Sequence, residues 1–242
     1  MQGQPAHPDQ RPGRTGRAGG HAVRLRRHPQ PGGRRVTSPG SGSDGGPDWG
    51  AMPTGAGEFR LRAVRLPADL ELLAGWMNDP ETAAFWELAG SPVVTERHVR
   101  AQLAGDGRSR PFLGLLDGTP MSYWEIYRAD LDPLAAHYPA RPHDTGLHLL
   151  LGPADSRGRG LGAVLLAALA DRVLRARPRC ERVVAEPDVR NLRSVRAFER
   201  AGFTRAAELD LPDKRAVLMV RERDRDRHRP RDREPSWPAP AG

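Results

Sequence analysis

The chain has 242 residues, including 27 Gly and 24 Pro, and a formal net charge of +8. Its single cysteine, Cys180, excludes an intrachain disulfide and a cysteine metal cluster. No apolar run approaches the roughly 18 residues of a membrane span, and no apolar stretch follows the N-terminal charges as a secretory signal requires, so a cytoplasmic protein is expected.

Residues 1–57 hold 8 Arg/Lys against 3 acids, residues 58–221 hold 24 against 22, and residues 222–242 hold 6 against 5. The positive charge thus belongs to the N-terminal segment, and the centre is close to neutral. Both ends lack apolar periodicity and cannot bury enough surface to offset their ordering entropy. Residues 1–57 therefore read as a disordered Arg/Gly/Pro-rich leader and 222–242 as a disordered charged tail, flanking one domain over 58–221. A basic leader can bind nucleic acid. No aromatic residue precedes Trp49 to stack on bases, and the near-neutral centre makes nucleic-acid binding the weakest functional reading.

Within the domain, Phe59 to Arg65 alternates with period two, as a half-buried strand does. Pro67 opens a helix with Leu70, Leu73, Ala74 and Met77 on one face, and Asn78-Asp79-Pro80 ends it. Thr95 is expected to cap a short helix through Leu103. Pro111–Leu116 and Met121–Tyr127 form a hairpin around Asp117-Gly118. A polar connection with His137, Tyr138 and His143 leads to a strand over Gly146–Gly152, apolar except for His148. Next come a helix over Gly162–Arg175, a strand over Arg182–Glu186 and a helix over Asn191–Ala201 closed by Gly202. A final antiparallel pair spans Thr204–Leu211 and Arg215–Val220. Asp188 reads as a cap for the helix at Asn191. The order β-α-α-β-β-β-α-β-α-β-β predicts an α/β fold, a central mixed sheet with helices on both faces.

Arg157-Gly158-Arg159-Gly160-Leu161-Gly162 stands between a strand and a helix N-terminus. Glycines there let backbone N–H groups approach an anion, and the helix dipole favours it, so the loop predicts a pyrophosphate-bearing ligand. The run matches the Arg/Gln-x-x-Gly-x-Gly/Ala signature of the GNAT superfamily of N-acetyltransferases. Asn191-x-x-Ser194-x-x-Ala197-Phe198-Glu199-x-Ala201-Gly202-Phe203 resembles that superfamily's second coenzyme A motif. Three further strings resemble its siderophore-biosynthesis branch, which acylates lysine in mycobactin synthesis and N-hydroxylysine in aerobactin synthesis. They are Pro120 to Tyr127, His137 to Leu150, and Ala185-Glu186-Pro187-Asp188-x-Arg190-Asn191.

The resemblance implies a single GNAT fold with a splayed strand pair. It implies acetyl-CoA or another acyl-CoA as cosubstrate, or an acyl carrier protein as donor, and no metal. Cofactor contacts would come from Leu149, Leu150, Arg157, Gly158, Arg159, Gly160, Gly162, Asn191 and Phe198. Glu186 would accept the proton of the attacking amine, and His148 would contact substrate or relay the proton. His148 also reads as a satisfied core histidine. Trp124 and Tyr138 are candidate substrate contacts. Phe198 replaces the Tyr that protonates the departing thiolate in many relatives. The implied reaction acylates the side-chain amine or hydroxylamine of lysine or a related diamine by direct transfer. Acetylation of an aminoglycoside is the alternative on the same fold.

Overall fold

The computed structural model describes residues 49–224. Eight strands form one sheet: β1 (Met52–Thr54), β2 (Gly57–Ala63), β3 (Ser109–Leu116), β4 (Thr119–Arg128), β5 (Thr145–Leu151), β6 (Arg182–Ala185), β7 (Thr204–Asp210) and β8 (Arg215–Glu222). Their spatial order is β1-β2-β3-β4-β5-β6-β8-β7. Every neighbouring pair is antiparallel except β5–β6. Five helices complete the chain: α1 (Leu70–Met77), α2 (Pro80–Trp86), α3 (Pro92–Leu103), α4 (Leu161–Ala176) and α5 (Leu192–Arg200).

Helices cover both sheet faces, as the sequence predicts. On one face Leu165, Leu166 and Leu169 of α4 and Phe198 of α5 pack on Trp124, Leu147 and Met219. On the other, Leu73 and Met77 of α1 and Val99 of α3 cover Leu113, Tyr123 and Leu150. Each fully buried large apolar side chain contributes about 1.5–3 kcal/mol, so α4, apolar along one whole side, fixes the crossover from β5 to β6.

Order begins before the expected boundary at residue 58. Trp49 and Met52 are buried, and Met52 pairs with Phe59 across a tight turn. A three-residue strand is too short to show a period, so the sequence hides it. The expected disorder of residues 1–48 and 225–242 lies outside the described residues.

Two other local expectations change. Asp79 does more than stop α1: its carboxylate accepts from the N–H groups of Glu81 and Thr82 and starts α2, with Pro80 in the first turn. Ser91 and Pro92, not Thr95, begin α3; Thr95 is buried inside it, its hydroxyl without a hydrogen bond among the described residues. The Asp117-Gly118 turn does close the hairpin, with φ 48° and 80° at the two residues, as a primed turn demands.

The feature that positions the site is the parting of β5 from β6. They pair only at Thr145↔Val183 and Gly146↔Val184, whereas β4 follows β5 through Leu151. Beyond Gly146, β5 presents a backbone edge without a ladder partner from β6. The expected splay is thus present. Among the described residues, no helix is long and apolar enough to cross a membrane.

Candidate active site

Glu125 on β4 lies directly across from His148 on β5, and Glu186 follows the last residue of β6 at the parting. Strand pairing brings the three into line. His148 Nδ1 is 2.8 Å from Glu125 Oε2, and Nε2 is 2.7 Å from Glu186 Oε1. Each ring nitrogen faces a carboxylate oxygen, so each is a donor and the ring is an imidazolium. Glu186 Oε2 accepts from the Tyr127 hydroxyl at 2.7 Å, and Lys214 Nζ stands 3.9 Å from Oε1. The Tyr127 ring packs on His148 at 4.9 Å, and Trp86 of α2 meets it edge-on at 6.2 Å. Gly146 makes room for Tyr127: a Cβ there would stand 2.0 Å from the phenol ring.

Burial alone would neutralise these groups. For His148, desolvation is outweighed by the Glu186 charge and the bonds to both carboxylates, which push it from 6.5 up to about 9. For Glu186, only 2% exposed, desolvation is again outweighed, by the His148 charge and bond, by Lys214 and by Tyr127. Its carboxyl is held far below the usual range. Glu125 likewise stays ionised against its burial, because His98 and His148 face it. His148 is therefore not a passive core histidine: its side chain is 26% exposed and links two carboxylates.

The predicted donor side divides. Gly158 and Gly160 adopt φ 73° and 80°, with nothing within 4 Å of where a Cβ would stand. Gly160 is the N-cap of α4, whose first N–H groups have no carbonyl within the helix to bind. Arg159 is exposed beside them and forms no ion pair among the described residues. Gly162 sits in the first turn, its Cα facing Leu149, Leu151 and Ala197. This is an open helix N-terminus with a free-standing cation beside it, a combination suited to a pyrophosphate.

Arg157 departs from expectation. Its guanidinium binds the carbonyls of Leu151 and Gly152 at 3.2 and 2.8 Å and Asp79 at 2.6 Å, with Glu81 at 3.6 Å. It ties the loop to the start of α2, and its charge is already used. Asn191 caps α5 by accepting from Ser194 N at 3.1 Å, and Phe198 is buried against Phe203. Both shape the second motif from within. Leu150 points into the α1–α3 face and half-buried Leu149 toward α4; the β4–β5 ladder, with Gly152 N on Met121 O and Ala129 N on Asp144 O, takes up the Leu150 backbone and leaves that of Leu149 on the open edge of β5.

Two substrate candidates are corrected. Trp124 is fully buried on the α4 face, its indole N–H on Ser122 Oγ at 2.8 Å and its ring 5.6 Å from Phe59. Strand alternation puts Glu125 and Tyr127 on the His148 face and Trp124 behind it. Tyr138 is buried with Leu134, Leu209 and Leu218, and its hydroxyl donates to Asp144 at 3.0 Å, beside Arg182. Asp188 holds Arg190 instead of capping α5, a role that Asn191 takes.

Sequence reasoning missed Glu125, Tyr127, Lys214, Trp86, His98 and Gln102. One signal was available: Glu125 interrupts an apolar strand between Tyr123 and Ile126, and a buried carboxylate needs partners.

A family model described as an acetyltransferase (GNAT) domain matches residues 65–211. The lysine N-acyltransferase MbtK of Mycobacterium sp. (strain MCS) is 36% identical over 172 residues, 71% of this chain and 70% of that protein. The N(6)-hydroxylysine O-acetyltransferase of Escherichia coli is 36% identical over 156 residues, 64% of this chain and 49% of that protein. Among solved structures, the aminoglycoside acetyltransferase AAC(6')-Ib, in complex with paromomycin and acetyl-CoA, superposes with a TM-score of 0.61 at 30% identity, covering 68% of this chain and 93% of that one. With the parted strands, the phosphate-type loop and the ion-paired histidine at their junction, these likenesses establish that the chain belongs to the GNAT acetyltransferase family and is an N-acyltransferase.

Proposed function

We propose that the chain moves an acyl group from acetyl-CoA or another acyl-CoA to the side-chain amine or hydroxylamine of lysine or a related diamine, a step of hydroxamate siderophore synthesis in the cytoplasm. The observation that carries this reading is the meeting of the Glu186–His148 pair with the free edge of β5. The relatives named for lysine and N(6)-hydroxylysine support the acceptor, and the neighbour solved with acetyl-CoA supports the donor. An acyl carrier protein bearing the same pantetheine arm is the alternative donor.

The thioester supplies the electrophilic carbonyl. Residues 158–162 would hold the pyrophosphate, and the β5 edge would pair with the pantetheine as an added strand. The Leu149 amide, which the ladder leaves on that edge, would donate to the carbonyl oxygen as charge develops there. The acceptor nitrogen attacks directly in a ternary complex: the N–C bond forms, the C–S bond breaks, and Glu186 takes the amine proton. Cys180 carries no acyl group, since it is fully buried and burial pushes its thiol up. Phe198 offers no phenol, so the thiolate takes its proton from water or another residue.

Proton transfer discriminates between acceptors. A primary amine of lysine type titrates at about 10.4, far above a carboxyl held as low as Glu186. A hydroxylamine nitrogen is much less basic and arrives neutral at pH 7, which removes the mismatch.

The test is release of free thiol from acetyl-CoA with lysine, N6-hydroxylysine, putrescine or kanamycin as sole acceptor. N6-hydroxylysine is expected to give the highest kcat/KM and kanamycin the lowest. A tenfold preference for kanamycin would overturn the siderophore reading. It would establish the second reading, transfer to an aminoglycoside amine, which the likeness to AAC(6')-Ib supports.

A further inference from the structure

On the side away from Glu186, His148 meets a carboxylate that transfer itself does not use. Glu125 Oε2 accepts a hydrogen bond from His148 Nδ1–H at 2.8 Å. Its other oxygen accepts from Gln102 Nε2 at 2.6 Å and from the Tyr123 hydroxyl at 3.0 Å, and faces His98 Nε2 at 2.6 Å. Ser109 Oγ donates to Gln102 Oε1 at 3.1 Å, which fixes the amide so that its NH₂ points at Glu125. Glu125 is 6% exposed, and His98 and Gln102 reach it from α3. A buried carboxylate is tolerated only when satisfied, and this one has partners on both oxygens. Such provision exceeds what packing the strand demands, since an apolar residue would fill the place at less cost.

One imidazolium thus sits between two carboxylates, with Lys214 beyond Glu186. Were Glu186 the only counter-ion, protonating it would leave the imidazolium unbalanced in a buried site. Each charge would then lock the other, and Glu186 would be weaker still as a base. With Glu125 behind the ring, loss of the Glu186 charge leaves a neutral Glu125–His148 pair.

We propose that Glu125 is a positioning residue that holds His148 by Nδ1 and keeps its charge balanced while Glu186 carries a proton, and that His98 and Gln102 make α3 part of this apparatus. The inference rests on Glu186 as proton acceptor. The proton moves from the acceptor nitrogen to a Glu186 oxygen and leaves to solvent after product departs. His148 keeps both N–H bonds and Glu125 stays ionised throughout. The groups facing this cluster are Tyr123, Glu125 and Tyr127 from β4, His98 and Gln102 from α3, Trp86 from α2, Glu186 after β6, and Lys214 from the β7–β8 turn.

The experiment uses the full chain with ¹⁵N-labelled histidine, Glu125→Gln, and Glu125→Asp as the charge-retaining control. In Glu125→Gln the His148 titration midpoint, read by NMR, is expected to fall from about 9 by at least about one pH unit, toward its ordinary 6.5. The kcat should drop about 10- to 100-fold, with KM for acetyl-CoA within about twofold. Glu125→Asp should keep the midpoint nearer the parent value and recover part of kcat. If the Gln variant does not fold, the Asp variant decides: its shorter arm should still lower kcat without changing the acetyl-CoA KM. An unmoved His148 midpoint in folded Glu125→Gln, or parent kcat in either variant, overturns the proposal. Failure of the Glu186 reading has a different signature: full activity in Glu186→Gln while the His148 midpoint still responds to Glu125.

Discussion

Replacing Arg157 by glutamine separates a phosphate ligand from a structural strut. The guanidinium is 15% exposed and spends its donors on two carbonyls at the end of β5 and on Asp79 at the start of α2. The Asp79 contact is left out of the sum, since that carboxylate is open to water; the charged hydrogen bonds to the two carbonyls are worth about 1.5–3 kcal/mol each, and glutamine keeps one donor, so about 2–3 kcal/mol is lost. For a domain of this size each kcal/mol lowers Tm by about 2–4 °C, giving a fall of about 4–12 °C. The asymmetry matters more than the size. Because α2 carries Trp86 onto His148, loosening its start should raise the KM of the acceptor and leave that of acyl-CoA within about twofold. Thermal melting followed by steady-state kinetics with each substrate varied in turn reads both. An unchanged Tm with an acyl-CoA KM raised tenfold would refute the strut and return Arg157 to the pyrophosphate.

Stability should also follow pH with a definite sign. His148 is held above its ordinary 6.5, so its contribution is complete below pH 6.5 and fades as pH rises through about 9. Glu186 is held below its ordinary 4.5, so its contribution is complete above pH 4.5 and fades as pH falls. The two overlap fully between pH 4.5 and 6.5. Urea midpoints should decline from pH 6 to pH 9.5 by the equivalent of about 1–3 kcal/mol, and the same decline in His148→Gln would contradict this. Glu186→Gln should lose most of kcat while acyl-CoA binding persists by calorimetry; full turnover would end its assignment as base. Gly146→Ala should displace the Tyr127 ring, because the added methyl would stand 2.0 Å from it. An activity loss of tenfold or more is expected, and wild-type kinetics would show that Tyr127 need not stay on Glu186.

The sequence made the elements legible wherever a period or a turn residue fixed them: the Asp117-Gly118 hairpin, the Ala/Leu face of α4, the glycine stop after α5. It made β1 and α2 invisible, since one is three residues long and the other begins on the same Asn-Asp-Pro that ends α1. In the site, Glu186 and His148 could be named from motif position, and their contact follows from β5 and β6 starting in register. Glu125 could not be named that way. Its role depends on lying opposite His148 in a particular antiparallel register, which no local pattern encodes. Trp124 was misplaced for the same reason: alternation says that it and Glu125 face opposite ways, but not which face holds the ligand. Arg157 sits in the phosphate motif, yet its charge was claimed by Asp79, 78 residues away.

The parting of β5 and β6 divides the sheet into a five-strand bank and a three-strand bank, joined within the sheet by two residue pairs. His148 stands on one bank and Glu186 on the other. Their 2.7 Å contact spans the gap like a rivet. Widening the seam beside Glu186 would lengthen that contact and the Tyr127–Glu186 bond next to it, so the pair doubles as a gauge of how closed the sheet is. Substitutions far from the substrate, if they shift one bank against the other, will be read first as a change in the charge of a single histidine.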